Sequence, residues 1–255
     1  MPAKNSTTRF SSRVDDYLKT RPHYPVEIVD LLAANCGLTP ESVIADIGAG
    51  TGFLARIFLE NGNPVIGVEP NKEMREGGAR FLAEFARYTS LEGSAEATHL
   101  PARSMDFIVV GQAFHWFDQT LARNEFKRTL KEDGWVVLVW NDRRVDSTPF
   151  LRDYEALLQE FGRDYNEIEH KNVRGKNLFT DFFGATPLEA IFEYRQSFDV
   201  EGLASRLNSA SYMPGRDDPA HVPMLRRARN IFDAHQRDGK VSFEYDTRVF
   251  YSPMS

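Results

Sequence analysis

Short apolar runs alternate with amphipathic stretches over the first 140 residues. The apolar runs lie at 43–47, 64–69, 107–110 and 134–140, with a weaker one at 88–92. Their β-branched, uninterrupted character is typical of strands that are buried on both faces of a sheet. Helical spacing of apolar residues appears at 26–36, 53–61, 71–86 and 118–130. Strands that alternate with helices predict parallel βαβ units, with helices on both faces of the sheet.

The pattern changes after Trp140. Residues 188–198 and 241–251 alternate apolar and polar side chains, as half-buried antiparallel strands do. Other segments are predicted as a loop at 141–147, a helix at 150–161, an irregular stretch at 162–186 and helices near 200–208 and 224–237. The expected fold class is α/β. It is a Rossmann-like, seven-stranded, mostly parallel sheet with a C-terminal antiparallel strand pair.

Composition removes several classes of protein. The chain has 255 residues and a formal net charge of −6. No stretch approaches the ~18 consecutive apolar residues of a transmembrane helix, and the N-terminus lacks the apolar core of a signal peptide. Cys36 is the only cysteine, which excludes an intrachain disulfide and a zinc–thiolate cluster. We therefore expect a globular, cytoplasmic protein without a membrane partner. The histidines are scattered, so we expect no metal site.

A glycine-rich turn follows the first predicted strand. It reads Asp46-x-Gly48-x-Gly50-x-Gly52, and Glu69 stands at the end of the next strand. Alternate glycines let the backbone approach a ligand closely, and a carboxylate at the end of the second strand can accept both hydroxyls of a ribose. The turn therefore predicts a nucleoside-containing ligand at the carboxyl ends of the strands.

Further motifs follow the turn in a fixed order, at 93–96 (GSAE), 100–101 (LP), 104–107 (SMDF) and 111–118 (GQAFHWFD). With them, residues 43–140 resemble the class I S-adenosylmethionine-dependent methyltransferases. Residues 17–25 (YLKTRPHYP) and 113–118 (AFHWFD) are similar to segments of the small-molecule branch. That branch includes trans-aconitate methyltransferase-like and ubiquinone/menaquinone-biosynthesis methyltransferase-like enzymes.

The resemblance implies S-adenosylmethionine as cofactor and S-adenosylhomocysteine as product. The implied cofactor-binding residues are Asp46, Gly48, Ala49, Gly50, Gly52, Glu69, Pro70, Ala95, Glu96, Gln112, Tyr17 and Arg21. The implied substrate-binding residues are Tyr24, His115, Trp116 and Tyr212, and His115 is the catalytic candidate. Two roles stay open for Asp46: contact with the ligand, or hydrogen bonds to the amides of the glycine turn.

We expect one methyltransferase domain over residues 1–255. Residues 1–24 are a locally basic N-terminal arm, 25–142 the cofactor-binding core, and 199–240 a helical insertion that closes over the site as a lid. Methyl transfer from a sulfonium releases a neutral thioether, so the enzyme mainly has to place a nucleophile and exclude water. The expected reaction is O-methylation of a carboxylate or hydroxyl on a small molecule, with methylation at carbon as the next alternative.

His115 has two open interpretations. Imidazole can titrate near neutral pH, which suits a general base or a hydrogen-bond donor beside the methyl group. It can equally be a packing residue on the helix after the fourth strand. A carboxylate acceptor would need no base.

Three other functions remain. A nucleic-acid methyltransferase could use the basic residues 222–240, which carry five cationic side chains against two aspartates, although solvated helix charge also explains them. A cofactor-binding protein without turnover would keep the same glycines. A nicotinamide oxidoreductase is the weakest option. A formal Gly-x-Gly-x-x-Ala match starts only at Gly50, beyond the end of the strand.

Overall fold

The computed structural model describes residues 20–163, 165, 178–210 and 212–254. Tyr17 and the remainder of the arm before Thr20 lie outside the described residues. No helix among the described residues is both long enough and apolar enough to cross a bilayer.

Seven strands form one sheet. They are β1 (Ile44–Ile47), β2 (Val65–Val68), β3 (Tyr88–Leu91), β4 (Met105–Gly111), β5 (Leu130–Arg143), β6 (Leu188–Phe198) and β7 (Val241–Pro253). Their order is β3-β2-β1-β4-β5-β7-β6. Strand β7 pairs antiparallel with both β5 and β6, and all other neighbouring strands are parallel. The chain order reverses at β1, since β2 pairs with one of its edges and β4 with the other. A crevice at such a switch point is where open α/β sheets bind ligands. The predicted fold class is confirmed.

The helices of the described chain flank this sheet. They are α1 (Glu27–Cys36), α2 (Phe53–Glu60), α3 (Lys72–Phe81), α4 (Gln119–Thr129), α5 (Pro149–Phe161), α6 (Leu178–Phe183), α7 (Val200–Ser209) and α8 (His221–His235). Two predicted caps are present. The Asn71 side chain accepts a hydrogen bond from the Met74 amide, and the Asp118 side chain accepts from the amides of Thr120 and Leu121.

Several elements differ from the predictions. Helix α3 ends at Phe81 rather than near 86, because the chain turns at Leu82, whose side chain is buried. Strand β5 continues through Arg143 into the predicted loop, since β7 pairs with it as far as Arg143 opposite Tyr245. Helix α6 lies in the stretch predicted as irregular. Its Phe182 packs on Phe114, a contact that the local sequence does not reveal.

Apolar side chains form three clusters. Two of them cover the two faces of the parallel strands. The third joins α5, α7 and α8 to the first half of β7, with Leu203, Met224 and Phe243 among its buried members. Helix α5 packs directly on α8, so the helices predicted at 199–240 share this cluster with a helix outside that range. The closure of residues 199–240 over the site stays a prediction.

Candidate active site

The glycine turn lies between β1 and α2 at the switch point. Gly48, Gly50 and Gly52 all have positive φ angles. At Gly48 (φ +70°) the backbone amide donates to the Val68 carbonyl at 2.8 Å, which joins the turn to β2. A Cβ atom at Gly48 would lie 2.6 Å from the Cβ of Ala113, on the loop after β4. Only glycine therefore fits where these strand ends meet.

Asp46 is the last polar residue of β1 and is almost fully buried. Its carboxylate accepts a hydrogen bond from the Ala55 amide in the first turn of α2 at 3.1 Å. Burial and, to a smaller extent, the nearby Glu69 carboxylate raise the pKa of Asp46 to about 7, although the hydrogen bond from Ala55 opposes the increase. Asp46 thus fixes the start of α2, and it also lines the cavity described below. The hydrogen bond goes to α2 and not to an amide of the glycine turn, and contact between Asp46 and a ligand stays a prediction.

Glu69 follows β2 and faces the same turn. One carboxylate oxygen accepts from the Gly50 amide at 3.0 Å and the other from the Asn71 amide at 2.9 Å. Burial raises the pKa of Glu69, while these two amides and Arg75 oppose the increase. Each carboxylate oxygen has a second lone pair, so both can still accept from ribose hydroxyls.

Gln112 begins the loop after β4 in a left-handed conformation (φ +57°) that non-glycine residues rarely adopt. Its Nε2 donates to the Asn141 carbonyl at 3.1 Å. Its Oε1 is buried and has no hydrogen-bond partner among the described residues. An orphaned acceptor in the cavity wall fits the ammonium group of an amino-acid moiety. The crowded glycine turn and Glu69 fit a nucleoside, so the residues present are compatible with S-adenosylmethionine.

The predicted cofactor-binding residues Pro70, Ala95 and Glu96 lie outside the cavity wall. Ala95 is buried, Pro70 is exposed, and Glu96 accepts a hydrogen bond from the Asp118 amide at 2.8 Å. Glu96 therefore holds the loop after β4 in place. Glu69 and Gly52 also lie outside the lining of the cavity, and Gly52 precedes the first residue of α2.

A cavity of about 220 Å³ opens at the carboxyl ends of β1, β4 and β5. The predicted residues that line it are Asp46, Gly48, Ala49, Gly50, Arg21, Tyr24, Gln112, His115, Trp116 and Tyr212. Four widely separated segments of the chain thus meet around one space: the arm, the glycine turn, the loop after β4 and the lid.

The end of the arm is tied to the sheet and to the lid. Arg206 on α7 donates to the Thr20 carbonyl at 2.9 Å, and the Arg21 guanidinium lies 3.4 Å from the Ser209 carbonyl. The Asn141 side chain donates to the His23 carbonyl at 3.1 Å. These bonds place residues 20–24 as one wall of the cavity.

His115 lies on a single 3-10 turn, Phe114–Trp116, rather than on the helix after β4. Phe114 is fully buried and anchors the turn in the core. His115 and Trp116 face each other with ring centroids 4.7 Å apart. Both side chains line the cavity. His115 therefore packs against Trp116 and lies at the cavity at the same time, which agrees with either interpretation.

Sequence reasoning missed several residues of the cavity wall. They include Thr51, Asn141, Arg143, Tyr165, Arg206 and Tyr245. Asn141 and Arg143 carry a signal in the sequence, because polar residues that directly follow a buried parallel strand mark ligand sites. Arg206 and Tyr245 carry no such local signal.

The family model for the Methyltransferase domain matches residues 45–138. An uncharacterized methyltransferase of Mycobacterium tuberculosis is 35% identical over 232 residues, covering 91% of this chain and 88% of the relative. An uncharacterized methyltransferase-like protein of Schizosaccharomyces pombe is 28% identical over 248 residues, covering 95% of this chain and 94% of the relative. A solved structure from Anaeromyxobacter dehalogenans, described as a candidate type II methyltransferase, has the same fold. Its TM-score is 0.69 at 18% identity, covering 92% of this chain and 98% of that one.

Proposed function

The chain belongs to the class I S-adenosylmethionine-dependent methyltransferases, and on this premise we propose that it methylates an oxygen of a small-molecule acceptor, a carboxylate or a hydroxyl. The observation that carries the proposal is the cavity at the strand ends. Its walls come from the arm, the strand ends and the lid together. A concave space of about 220 Å³ with walls from several segments fits a small molecule.

The cofactor has a consistent place among the residues at the switch point. Glu69 would hold the ribose hydroxyls, the turn from Gly48 to Gly50 would pass along the nucleoside, and Gln112 would accept from the amino-acid end. When bound, S-adenosylmethionine supplies an electrophilic methyl group on a cationic sulfur. Arg21 and Tyr24 would close this end of the cavity against water.

The reaction that the cavity supports is an in-line displacement. An acceptor oxygen forms a bond to the methyl carbon as the carbon–sulfur bond breaks, and the bonding pair stays on sulfur. A carboxylate reacts without losing a proton. A hydroxyl gives up its proton, and His115 is positioned in the cavity wall to accept it.

The nucleic-acid alternative has less support. Among the cationic residues of 222–240, Arg229 pairs with Asp233 at 3.1 Å, and Arg227 lies 3.9 Å from Glu160 on α5. None of the cationic residues of 222–240 lines the cavity. Their positions agree with solvated charge on the outer surface of the lid.

Incubation with methyl-labelled S-adenosylmethionine tests the proposal. The purified protein is offered separate small-molecule, RNA, DNA and protein fractions from a cell extract. Label should enter the small-molecule fraction as a methyl ester or methyl ether. Label that enters only a macromolecular fraction, or a product methylated at nitrogen or carbon, would contradict it.

A further inference from the structure

Arg206 occupies an unusual position in the cavity wall. It projects from α7 and stacks over the rings of Phe243 and Tyr245, with its guanidinium carbon 4.5 Å and 5.5 Å from the two ring centroids. It donates one hydrogen bond, to the Thr20 carbonyl. Its Nε is buried without a hydrogen-bond partner, and no carboxylate of the described residues lies within ion-pair distance.

The two charged residues of β5 that line the cavity already have partners of opposite charge. Arg143 forms an ion pair with Glu155 and lies 3.1 Å from the Tyr165 hydroxyl. The Asp142 carboxylate forms an ion pair with Arg248, with 3.3 Å between Oδ2 and Nε. Arg206 is therefore a cation of the cavity wall that has no carboxylate of the described residues within ion-pair distance. Burial of an unpaired charge is costly, and an incoming anion would remove that cost.

Tyr245 supplies a second group at the same place. It is 2% exposed, it lines the cavity, and its hydroxyl has no hydrogen-bond partner among the described residues. Burial raises the pKa of this hydroxyl, while Arg206, Arg143 and Arg21 oppose the increase. The hydroxyl therefore stays protonated at neutral pH and can donate to an anion.

We propose that Arg206 and Tyr245 form a carboxylate-binding subsite, which makes the methyl acceptor an organic acid held by a carboxylate that is not itself methylated. This rests on the proposed small-molecule function. The one guanidinium of Arg206 matches the single charge of a carboxylate better than a phosphate group, which carries up to two negative charges at neutral pH. A carboxylate paired with Arg206 loses nucleophilicity, so a second oxygen of the acceptor receives the methyl group.

The test uses calorimetry on the full chain saturated with S-adenosylhomocysteine. The probes are butyrate, benzoate and glutarate, with neutral glutaramide and inorganic phosphate for comparison. Glutarate should bind at least about tenfold more tightly than glutaramide, as charge-assisted hydrogen bonds require. Arg206→Gln keeps a donor for the Thr20 carbonyl and removes the charge. It should weaken glutarate binding at least about tenfold.

Three further variants separate recognition from structure. Arg206→Lys keeps the charge and should recover part of the affinity that Arg206→Gln loses. Tyr245→Phe removes only a hydroxyl without a partner, so it should weaken glutarate binding without lowering the melting temperature. Arg226 is exposed on α8 outside the cavity, so Arg226→Gln should change neither glutarate binding nor the melting temperature.

Several outcomes would overturn the subsite. They are no binding of any carboxylate probe, equal glutarate affinity in Arg206→Gln and the wild type, or tighter binding of phosphate than of glutarate. A parallel loss of S-adenosylhomocysteine affinity in Arg206→Gln would mean that the anion is the cofactor's own carboxylate. Transfer to a neutral small molecule at the wild-type rate by Arg206→Gln overturns the subsite alone. Transfer to RNA or protein overturns the proposed function and with it the organic-acid acceptor, while the glutarate titrations still decide whether Arg206 and Tyr245 bind a carboxylate.

Discussion

The carboxylate of Asp46 accepts a hydrogen bond from the Ala55 amide at 3.1 Å, so the last polar residue of β1 holds the first turn of α2. This bond fixes the glycine turn between them. It also places a carboxylate in the interior, where burial raises its pKa from 3.8 to about 7.

Asp46 should make the protein less stable as the pH rises. Between about pH 4 and pH 7 the folded state binds more protons than the unfolded state, so the free energy of unfolding falls with increasing pH. Asp46→Asn keeps an oxygen for the Ala55 amide and removes this titration. Denaturant unfolding at several pH values should show a shallower decline in the variant. A residual slope should remain, because the pKa of Glu69 is raised as well. An identical slope in both proteins would refute the raised pKa of Asp46.

Gly48 and Gly37 provide a matched pair of substitutions. Their φ angles are +70° and +69°, but a Cβ atom meets Ala113 at 2.6 Å in the first case and nothing within 4 Å in the second. Gly37→Ala should cost about 1–2 kcal/mol of stability from the backbone alone. Gly48→Ala should cost a further 1–3 kcal/mol, roughly the penalty of overpacking, and should abolish S-adenosylhomocysteine binding. Equal losses in the two variants would show that the space around Gly48 can relax.

Glu69→Ala should weaken S-adenosylhomocysteine binding by about 1–3 kcal/mol, the cost of losing hydrogen bonds to a charged group. Part of this loss would come from release of the Gly50 amide, which Glu69 holds at 3.0 Å. Titration calorimetry measures the effect. Glu76→Ala, on the exposed surface of α3, is the control and should bind as the wild type does. Unchanged affinity in Glu69→Ala would remove Glu69 from the site.

Asn141 joins three parts of the cavity wall. Its side chain donates to the His23 carbonyl and accepts from the Thr247 hydroxyl at 2.6 Å, and its carbonyl accepts from Gln112. Asn141→Ala should cost about 1–3 kcal/mol of stability and speed the dissociation of S-adenosylhomocysteine, because the end of the arm is released. Thr247→Val removes only the internal bond and should leave dissociation unchanged. Stopped-flow measurement gives the rate at which S-adenosylhomocysteine dissociates. Equal dissociation rates in Asn141→Ala and Thr247→Val would contradict this role of Asn141.

His115→Gln distinguishes a hydroxyl acceptor from a carboxylate acceptor. If the acceptor is a hydroxyl, kcat should fall about 100-fold or more, and the rise of kcat with pH should disappear, because a general base is lost. If the acceptor is a carboxylate, no proton is released, and the change should appear in KM with a flat pH profile. His115→Gln with wild-type kcat and KM would show that His115 only packs against Trp116.

Local pattern determined much of the molecule. The order of strands and helices, the antiparallel pair at the end, the caps at Asn71 and Asp118 and the glycine turn all follow from periodicity and residue type. These features are dictated by hydrogen bonds and φ angles within a few residues. For that reason, Gly48, Glu69 and Gln112 could be named before the fold was known.

Tertiary structure alone decided how the cavity is closed. Arg206 and Tyr245 are far apart in the chain, and only the packing of α7 against β7 brings the guanidinium over the tyrosine ring. The extension of β5 to Arg143 depends on its pairing with β7, and the place of Thr20 depends on its contact with α7. Such contacts depend on which surfaces remain to be buried after the sheet has formed. The sequence therefore determined the proposed cofactor side of the site, and the tertiary structure decided its proposed acceptor side.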